Sequence, residues 1–578
     1  MKIIPELIVN HKGRREKVLT TILAELTSCS SFEISVAFIT QSGVASIIEV
    51  LKKLEKKGIK GRILSSTYLH FTQPNALESL LQFSNLEIKM DVANDFHSKG
   101  FLFAKSDSNY SLYIGSSNLT STALTTNVEL NVGLQYLSEE NAFLKQYRSD
   151  FNEYWEGAVF VDQDFINRYS ELYNSSKEYR FKQKLKITEV SDTESPFYQR
   201  MRPNKMQRTA LKNLEHLRTS GANKALLISA TGTGKTFLSA FDVERVNPKR
   251  ILFVVHRRTI AQKSLDTFKQ LMPHRTMSLY SGTERGRGDF LFATIQTVAR
   301  DISEGVFNSN DFDYIIIDET HRAEANSYRS LLEFFKPNFL LGMTATPERT
   351  DGGDIFKLFD HNIAYEIRLH QALEEEMLAP FHYYGVTDLT VNGETIDDHS
   401  DFSKLVSDER VKHIVEKANF YRCDSGKVRG LMFCSRKAEA NELSARLLDY
   451  GFKAVALTGE STEDERKKSI DQLEEGIIDY IITVDIFNEG IDIPLVNQVI
   501  MLRPTQSAII FVQQLGRGLR KAAGKEYLTV IDFIGNYSNS YLIPIALYGD
   551  TSFNKDSIRK LLVGGSQGLP GSCTIDFD

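Results

Sequence analysis

Short apolar runs alternate with amphipathic stretches along most of this chain. Between Ser31 and Tyr136 the runs SFEISVAFIT, KGRILSST, KGFLFAK and SLYIGSS are separated by helical patterns such as GVASIIEVLKKLEKKG, which predicts an α/β domain. The segments NAFLKQYRSDFNEYW and SSKEYRFKQKLK read as helices leading into the polar stretch EVSDTESP, so the first domain is assigned to residues 1–185 and a linker to 186–200. From 201 to 370 the fully apolar strands KALLIS, RILFVV, FLFAT, DYIIID and FLLGMTAT are spaced by helices, the pattern of a parallel sheet covered on both faces. A third block at 371–549 repeats it with GLMFCS, KAVALTG, DYIITV and QVIMLR. Residues 550–578 are too short for a domain and read as the start of a C-terminal extension, cut short in this chain.

Composition narrows the class. A length of 578 residues exceeds what one core supports, at about 150 residues per domain. Hydrophobic residues at 42% and charged residues at 25%, with no apolar run of roughly 18 residues, exclude an integral membrane protein built from helices. The N-terminus sets its apolar run before its basic residues, the reverse of a secretory signal, so a cytoplasmic location is expected. The four cysteines, Cys29, Cys423, Cys434 and Cys573, are scattered, which argues against a disulfide frame or a zinc site. A net charge of −6 gives no global attraction to a polyanion, so any nucleic-acid contact must be local.

Two elements in the second block carry nucleotide chemistry. The strand ALLIS runs into Ala230-Thr231-Gly232-Thr233-Gly234-Lys235-Thr236 and then a helix. Such a loop turns backbone N–H groups toward phosphate oxygens, with Lys235 on the β and γ phosphates and Thr236 on Mg²⁺. It departs from the P-loop pattern at Ser229, where glycine is usual. The strand YIII ends in Asp318-Glu319-Thr320-His321, where Asp318 would hold Mg²⁺ and Glu319 would deprotonate the attacking water.

These residues resemble the DEAD/DEAH-box superfamily 2 helicases, whose further motifs follow in order through residue 537. The resemblance implies two RecA-like domains binding ATP and Mg²⁺ in the cleft between them. Gln207 falls where the family reads adenine, and His321 completes the second motif on the ATP side. His256 with Arg257, Thr294 with Gln296, and Thr458 with Gly459 fall at strand-contacting positions, while Thr344-Ala345-Thr346 matches the coupling motif. Phe433 to Arg436 matches the fourth motif, and Gly490 and Asp492 lie in the fifth. The sixth runs from Gln513 to Arg520, with Arg517 and Arg520 as fingers on the γ-phosphate. The histidine at 321 and the glutamine opening the sixth motif resemble restriction and repair motors, which implies double-stranded DNA as the track.

The first domain holds His97-Ser98-Lys99 before the strand KGFLFAK, Gly115-Ser116-Ser117-Asn118 after SLYI, and Glu129 further on. With 12 histidines in the chain, one HxK tripeptide is near chance, and the set carries the reading. A histidine nucleophile, a lysine and an asparagine for the non-bridging oxygens, and a glutamate to orient the imidazole suffice to attack a phosphodiester without a metal. The set resembles the phospholipase D superfamily, particularly its nucleases with one HxK per chain, over residues 1–160. That resemblance implies a phosphohistidine at His97 and a second half-site from another copy, hence a homodimer through the N-terminal domain. The family's aspartate five residues after the lysine is Ala104 here. Trp155 is expected in packing, and the lysines of LKKLEKKGIKGR on a solvated helix face.

The expected protein is thus an ATP-dependent DNA translocase carrying a metal-independent endonuclease, acting against foreign DNA in bacteria with further defence subunits. A remodelling helicase whose N-terminal domain only binds DNA or a partner is the alternative. A third possibility is an ATP switch that gates the N-terminal domain.

Overall fold

The computed structural model describes residues 4–11, 16–93, 96–106, 108–176, 202–320, 326–345, 355–387, 390–391, 394–395, 407–484, 493–503, 516, 518–534 and 569–577. The expected α/β class holds throughout: one mixed sheet is followed by two sheets dominated by parallel strands.

In the N-terminal domain the sheet runs Ile4–Val9, Leu130–Ser138, Asn109–Gly115, Gly100–Ala104, Ser31–Ser35, Gly61–Ser66, Leu86–Asp91, Val159–Phe160. The three strands Ser31–Ser35, Gly61–Ser66 and Leu86–Asp91 are mutually parallel, and the strands flanking them are antiparallel. This mixture brings the C-terminal ends of Ser31–Ser35 and Gly61–Ser66 to one edge with the start of Gly100–Ala104 and the end of Asn109–Gly115. Trp155 is buried and stacks on Phe151 at 5.7 Å, a packing role.

The second sheet has the order Glu284–Arg285, Met277–Ser281, Phe290–Thr294, Ile251–Val255, Tyr314–Asp318, Phe339–Thr344, Lys224–Ser229, Ile363–Ile367, all parallel except the first. Strands such as Ile251–Val255 and Tyr314–Asp318 are buried along their whole length, as helices on both faces require. The third sheet is wholly parallel: Ala454–Leu457, Tyr480–Thr483, Gly430–Phe433, Gln498–Met501, Leu528–Ile534, Phe381–Thr387, Thr574–Phe577. Three of its strands, Phe381–Thr387, Leu528–Ile534 and Thr574–Phe577, were absent from the strand pattern taken from the sequence. The last edges the sheet beside Phe381–Thr387, an assignment that a four-residue run with an aspartate in it does not signal by itself.

The N-terminal domain sits on the third sheet's lobe. Tyr384 stacks on Tyr421 at 4.1 Å, the Tyr384 hydroxyl donates to the Ala45 carbonyl at 3.0 Å, and the Tyr421 hydroxyl donates to buried Glu49 at 2.5 Å. Lys17 donates to the carbonyls of Leu569 and Gly571 at 2.9 Å each. Gln73 donates to Glu526 at 2.8 Å, Asn75 to the Asp424 carbonyl at 3.2 Å, and Arg422 pairs with Glu78. Lys53, Lys56, Lys57 and Lys60 are exposed, as expected of a solvated face, but Lys52 of the helix Ile48–Lys56 is 15% exposed, bonded to Tyr421 at 3.4 Å and lying over the Phe420 ring. Its aliphatic stem packs on the aromatic surface while the ammonium keeps polar partners.

Candidate functional site

All strands of the second sheet but one run the same way, so their C-terminal ends share one edge, and the loops there can meet. On that edge Gly232 and Gly234 take left-handed backbone angles (φ 87° and 88°), and Gly234 begins the helix Lys235–Val246. Residues with a Cβ rarely adopt that conformation, which is why the loop needs glycine at these two places. Ser229, the departure from the P-loop pattern, ends its strand fully buried, with its hydroxyl 2.5 Å from Thr233 Oγ1; Thr233 in turn donates to the Ala230 carbonyl at 2.7 Å. Lys235 Nζ donates to the Ser229 carbonyl at 2.9 Å. Gln207 closes a capping box with Asn204 at the start of Lys205–Thr219 and donates to the Gly234 carbonyl at 3.3 Å, tying its helix to the loop.

Asp318 and Glu319 follow the neighbouring strand. Burial, then the charge of Glu319, pushes the Asp318 carboxyl up to about 6, while Lys235 and His256 pull against the shift. A buried carboxylate destabilised in this way suits a cation. Glu319 is left-handed (φ 56°), with its N–H donating to Asp318 Oδ1 at 3.0 Å, and Thr320 donates to the Met343 carbonyl at 3.0 Å. His256 lies close enough to Asp318 for its charge to be felt there, because Ile251–Val255 and Tyr314–Asp318 are adjacent strands. The sequence showed the motif but not the neighbour, since strand order is not written in the order of the chain.

A cavity of about 1180 Å³ joins these groups. Thr231, Gly232, Thr233, Gly234, Lys235 and Thr236 line one wall with Gln207, Asp318 and Glu319, and Arg520 enters from the other lobe. The approach is close: a Cβ on Gly232 would lie 3.3 Å from Arg520 Cγ, and one on Gly516 would lie 2.9 Å from Thr231 Cβ. The candidates His321, Gly490, Asp492, Gln513 and Arg517, and Thr346 of the coupling motif, lie outside the described residues.

Of the positions assigned to a nucleic-acid strand, Arg257 caps the helix Arg258–Leu271. Thr294 is buried and bonded to Ser281 and Thr297 at 3.1 and 2.9 Å, while Gln296 beside it is exposed. In the third sheet's lobe, Arg466 donates to the carbonyls of Thr458 and Gly459 at 3.2 and 3.4 Å, fixing that loop.

The second constellation gathers at the shared edge of the N-terminal sheet. His97 and Lys99 precede Gly100–Ala104, Ser116 to Asn118 follow Asn109–Gly115, and Glu129 precedes Leu130–Ser138. Lys99 Nζ donates to His97 Nδ1 at 3.0 Å and to the His97 carbonyl at 2.9 Å. Burial lowers the Lys99 pKa, and the charge of Glu129 offsets part of that. Glu129 accepts the Ser116 hydroxyl; among the described hydrogen bonds none joins it to the imidazole, whose partner is Lys99. Asn118 Oδ1 accepts the N–H groups of Ala37 and Phe38 at 3.0 and 3.3 Å, which leaves its Nδ2 donors for a phosphate. Ala104 stands at the opposite end of Gly100–Ala104, about 13 Å along the strand from Gly100, so a carboxylate there would not touch the histidine.

Comparison with known proteins matches three parts of the chain. Residues 200–349 match the model of the type III restriction enzyme res subunit, 411–522 the helicase conserved C-terminal domain, and 22–155 the cardiolipin synthase, PLD-like domain. A Saccharomyces cerevisiae protein named for an ATP-dependent helicase is 27% identical over 360 residues, covering 57% of this chain and 52% of its own. The endonuclease subunit of the Escherichia coli type I restriction enzyme EcoAI is 26% identical over 377 residues, covering 57% of this chain and 46% of its own. The chain thus spans about half the length of these curated relatives. Among solved structures, a fragment assigned to an HsdR subunit of a type I restriction enzyme from Vibrio vulnificus aligns over 59% of this chain and 65% of its own at 26% identity, with a TM-score of 0.46. Among the described residues no helix is long and apolar enough to cross a membrane.

Proposed function

From a chain that carries a restriction-type helicase domain, a helicase C-terminal domain and an N-terminal phospholipase D-like domain, we propose an ATP-driven DNA translocase coupled to a metal-independent phosphodiesterase. The observation that carries the motor half is the meeting of Lys235, Asp318, Glu319 and Arg520 around one cavity from two lobes. Its residues suit a nucleoside triphosphate with Mg²⁺: glycines where phosphates must approach backbone, a buried acid on the side of the cation, and a cation across the cleft. When bound, Mg²⁺ supplies positive charge against the β and γ phosphates. Lys235 would exchange its bond to the Ser229 carbonyl for the phosphates, and Thr236 and Asp318 would hold the cation. Glu319 would orient and deprotonate the attacking water, while Arg520 would stabilise charge on the terminal phosphate when the lobes close, with Arg517 assigned the same part. Gln207 and Gln513 are assigned to the nucleotide.

In the N-terminal domain, a His97 ring nitrogen attacks phosphorus and the bond to one chain oxygen breaks, its electron pair leaving with that oxygen. The histidine of a second copy gives the leaving oxygen a proton. Water then attacks the phosphohistidine, giving its proton to that same histidine and returning His97. Lys99 and the Nδ2 of Asn118 hold the non-bridging oxygens, and the charge of Glu129 opposes the lowering of the Lys99 pKa by burial. HxK occurs once in the sequence, so a second copy must complete the site. A face for it adjoins the histidine: Leu130, Val132 and Tyr136 are exposed along one side of their strand, with exposed Leu7 registered opposite Val132. Restriction of foreign DNA in the bacterial cytoplasm, with further subunits, is the role that fits this pairing of domains.

The test is cleavage of single-stranded DNA in EDTA without ATP, and of linear and supercoiled duplex in Mg²⁺ with ATP, by the wild type, His97→Ala and Lys235→Ala. Cutting that survives EDTA and disappears with His97 is expected, together with loss of DNA-stimulated ATPase in Lys235→Ala and Glu319→Gln. ATPase without any His97-dependent cutting would instead support a remodelling motor with a binding domain.

A further inference from the structure

His97 stands among aromatic rings that phosphodiester chemistry does not need. The Tyr68 ring lies 5.8 Å from the imidazole, nearly edge-on at 70°, and the Phe38 ring 6.4 Å away. Phe71 extends this wall outward, 5.5 Å from Phe38 and 42% exposed, with Leu69 beside it 56% exposed. Large apolar side chains at the mouth of a polar site lose favourable burial unless a ligand covers them.

The wall is held in place. Leu69 and His70 both take left-handed backbone angles (φ 51° and 50°), which residues with a Cβ rarely adopt. The turn is braced by His70 N–H donating to the Thr67 carbonyl at 2.9 Å and Thr67 N–H to Asp91 at 3.1 Å. Buried Thr72 closes it: its hydroxyl donates to the Ser66 carbonyl at 3.1 Å and accepts the Ile39 N–H at 3.3 Å, and its carbonyl accepts the Tyr169 hydroxyl at 2.9 Å. On the other side Asn118, assigned to the phosphate, accepts the backbone N–H of Phe38 at 3.3 Å. The residue that would hold the phosphate therefore also holds a ring of the wall.

We propose that Phe38, Tyr68 and Phe71 form a stacking site for an unpaired nucleobase adjoining the phosphate attacked by His97, so that the nuclease takes single-stranded DNA. In a duplex each base face is covered by its neighbours, whereas an unpaired base offers its face to an aromatic ring at a smaller unstacking cost. A sugar separates base from phosphate within a nucleotide, and the rings stand off the histidine by a similar span. The inference rests on the phosphodiesterase reading and supplies its substrate class: a strand freed from the duplex rather than the duplex on which the motor tracks.

The test uses the full chain carrying His97→Ala, in EDTA without ATP, and a single-stranded oligonucleotide containing 2-aminopurine, whose fluorescence reports stacking. Phe71→Ala and Tyr68→Ala should each reduce the fluorescence change and weaken single-strand binding by about tenfold, the effect of losing one stacked base. Phe71→Trp should keep both, and duplex affinity should change less than about twofold; strand binding by the motor is common to all variants and cancels in the comparison. Thermal unfolding of each variant separates loss of stacking from loss of fold. Unchanged fluorescence in correctly folded Phe71→Ala and Tyr68→Ala, or equal weakening on duplex, would overturn the proposal. Because the readout needs no cleavage, a Phe71-dependent signal in a chain that never cuts DNA would sustain the stacking site and reject the phosphodiesterase.

Discussion

Gly516 and Gly518 are two residues apart and answer to different neighbours. A Cβ on Gly516 would meet Thr231 of the opposite lobe at 2.9 Å, whereas one on Gly518 would meet Leu528 of its own lobe at 2.6 Å. Gly516→Ala should therefore hold the lobes apart and slow ATP turnover by about tenfold, or ~1.4 kcal/mol of barrier, with the melting temperature nearly unchanged. Gly518→Ala should lower the melting temperature itself; steady-state ATPase and thermal unfolding of both variants check the contrast. The glycines of the phosphate loop were legible as a motif, but which glycine faces which lobe was not. The same limit explains His256: its place in the motif series suggested a strand contact, and only the sheet order sets it beside Asp318.

At the scale of elements, the strands Phe381–Thr387 and Leu528–Ile534 pair in parallel at the centre of the third sheet and carry a buried carboxyl between them. Burial pushes Asp532 up to about 7, and the bond donated by the Tyr383 hydroxyl at 2.7 Å offsets part of this. The folded-state pKa lies above the unfolded value of about 3.9, so the folded chain binds the extra proton between them. The associated stability is complete below the unfolded pKa and is lost as pH rises through about 7, with a limiting slope of ~1.4 kcal/mol per pH unit. Asp532→Asn keeps an acceptor for Tyr383 and removes the titration, so urea unfolding from about pH 5 to 8 should show a flatter dependence than the wild type. Neither strand stood out in the sequence, because FHYYGVT and LTVIDFI mix polar residues into runs that lie buried on both faces. Contacts between strands, Tyr383 to Asp532 at 2.7 Å and His382 Nδ1 to Thr574 Oγ1 at 2.7 Å, place those polar groups in the interior, and periodicity carries no trace of them.

For the whole molecule, the decisive feature is the seat of the N-terminal domain on the second motor lobe. Lys17, Glu49, Gln73, Asn75 and Glu78 all bond across this interface, and Gln73 immediately follows the turn and Thr72 that hold the aromatic wall. The domain should therefore travel with that lobe. Fluorescence energy transfer should show a constant distance from the N-terminal domain to the second lobe, and a changing one to the first, when a non-hydrolysable ATP analogue is added. The apolar face beside His97 lies on the sheet's far edge and is exposed. Val132→Lys should shift sedimentation from dimer to monomer and reduce His97-dependent cleavage without reducing ATPase, since a charge there opposes burial of the face. The sequence by itself determined the three-part α/β division and offered the glycines, acids and basic residues of both candidate sites, because local spacing and strand periodicity are properties of contiguous residues. Tertiary structure alone decided which strands adjoin, that Gly516 abuts Thr231 of the other lobe, that Lys52 and Glu49 lie at an interface, and that rings from two distant turns surround His97. Those follow from sheet order and domain docking, in which burial selects among partners far apart in the chain.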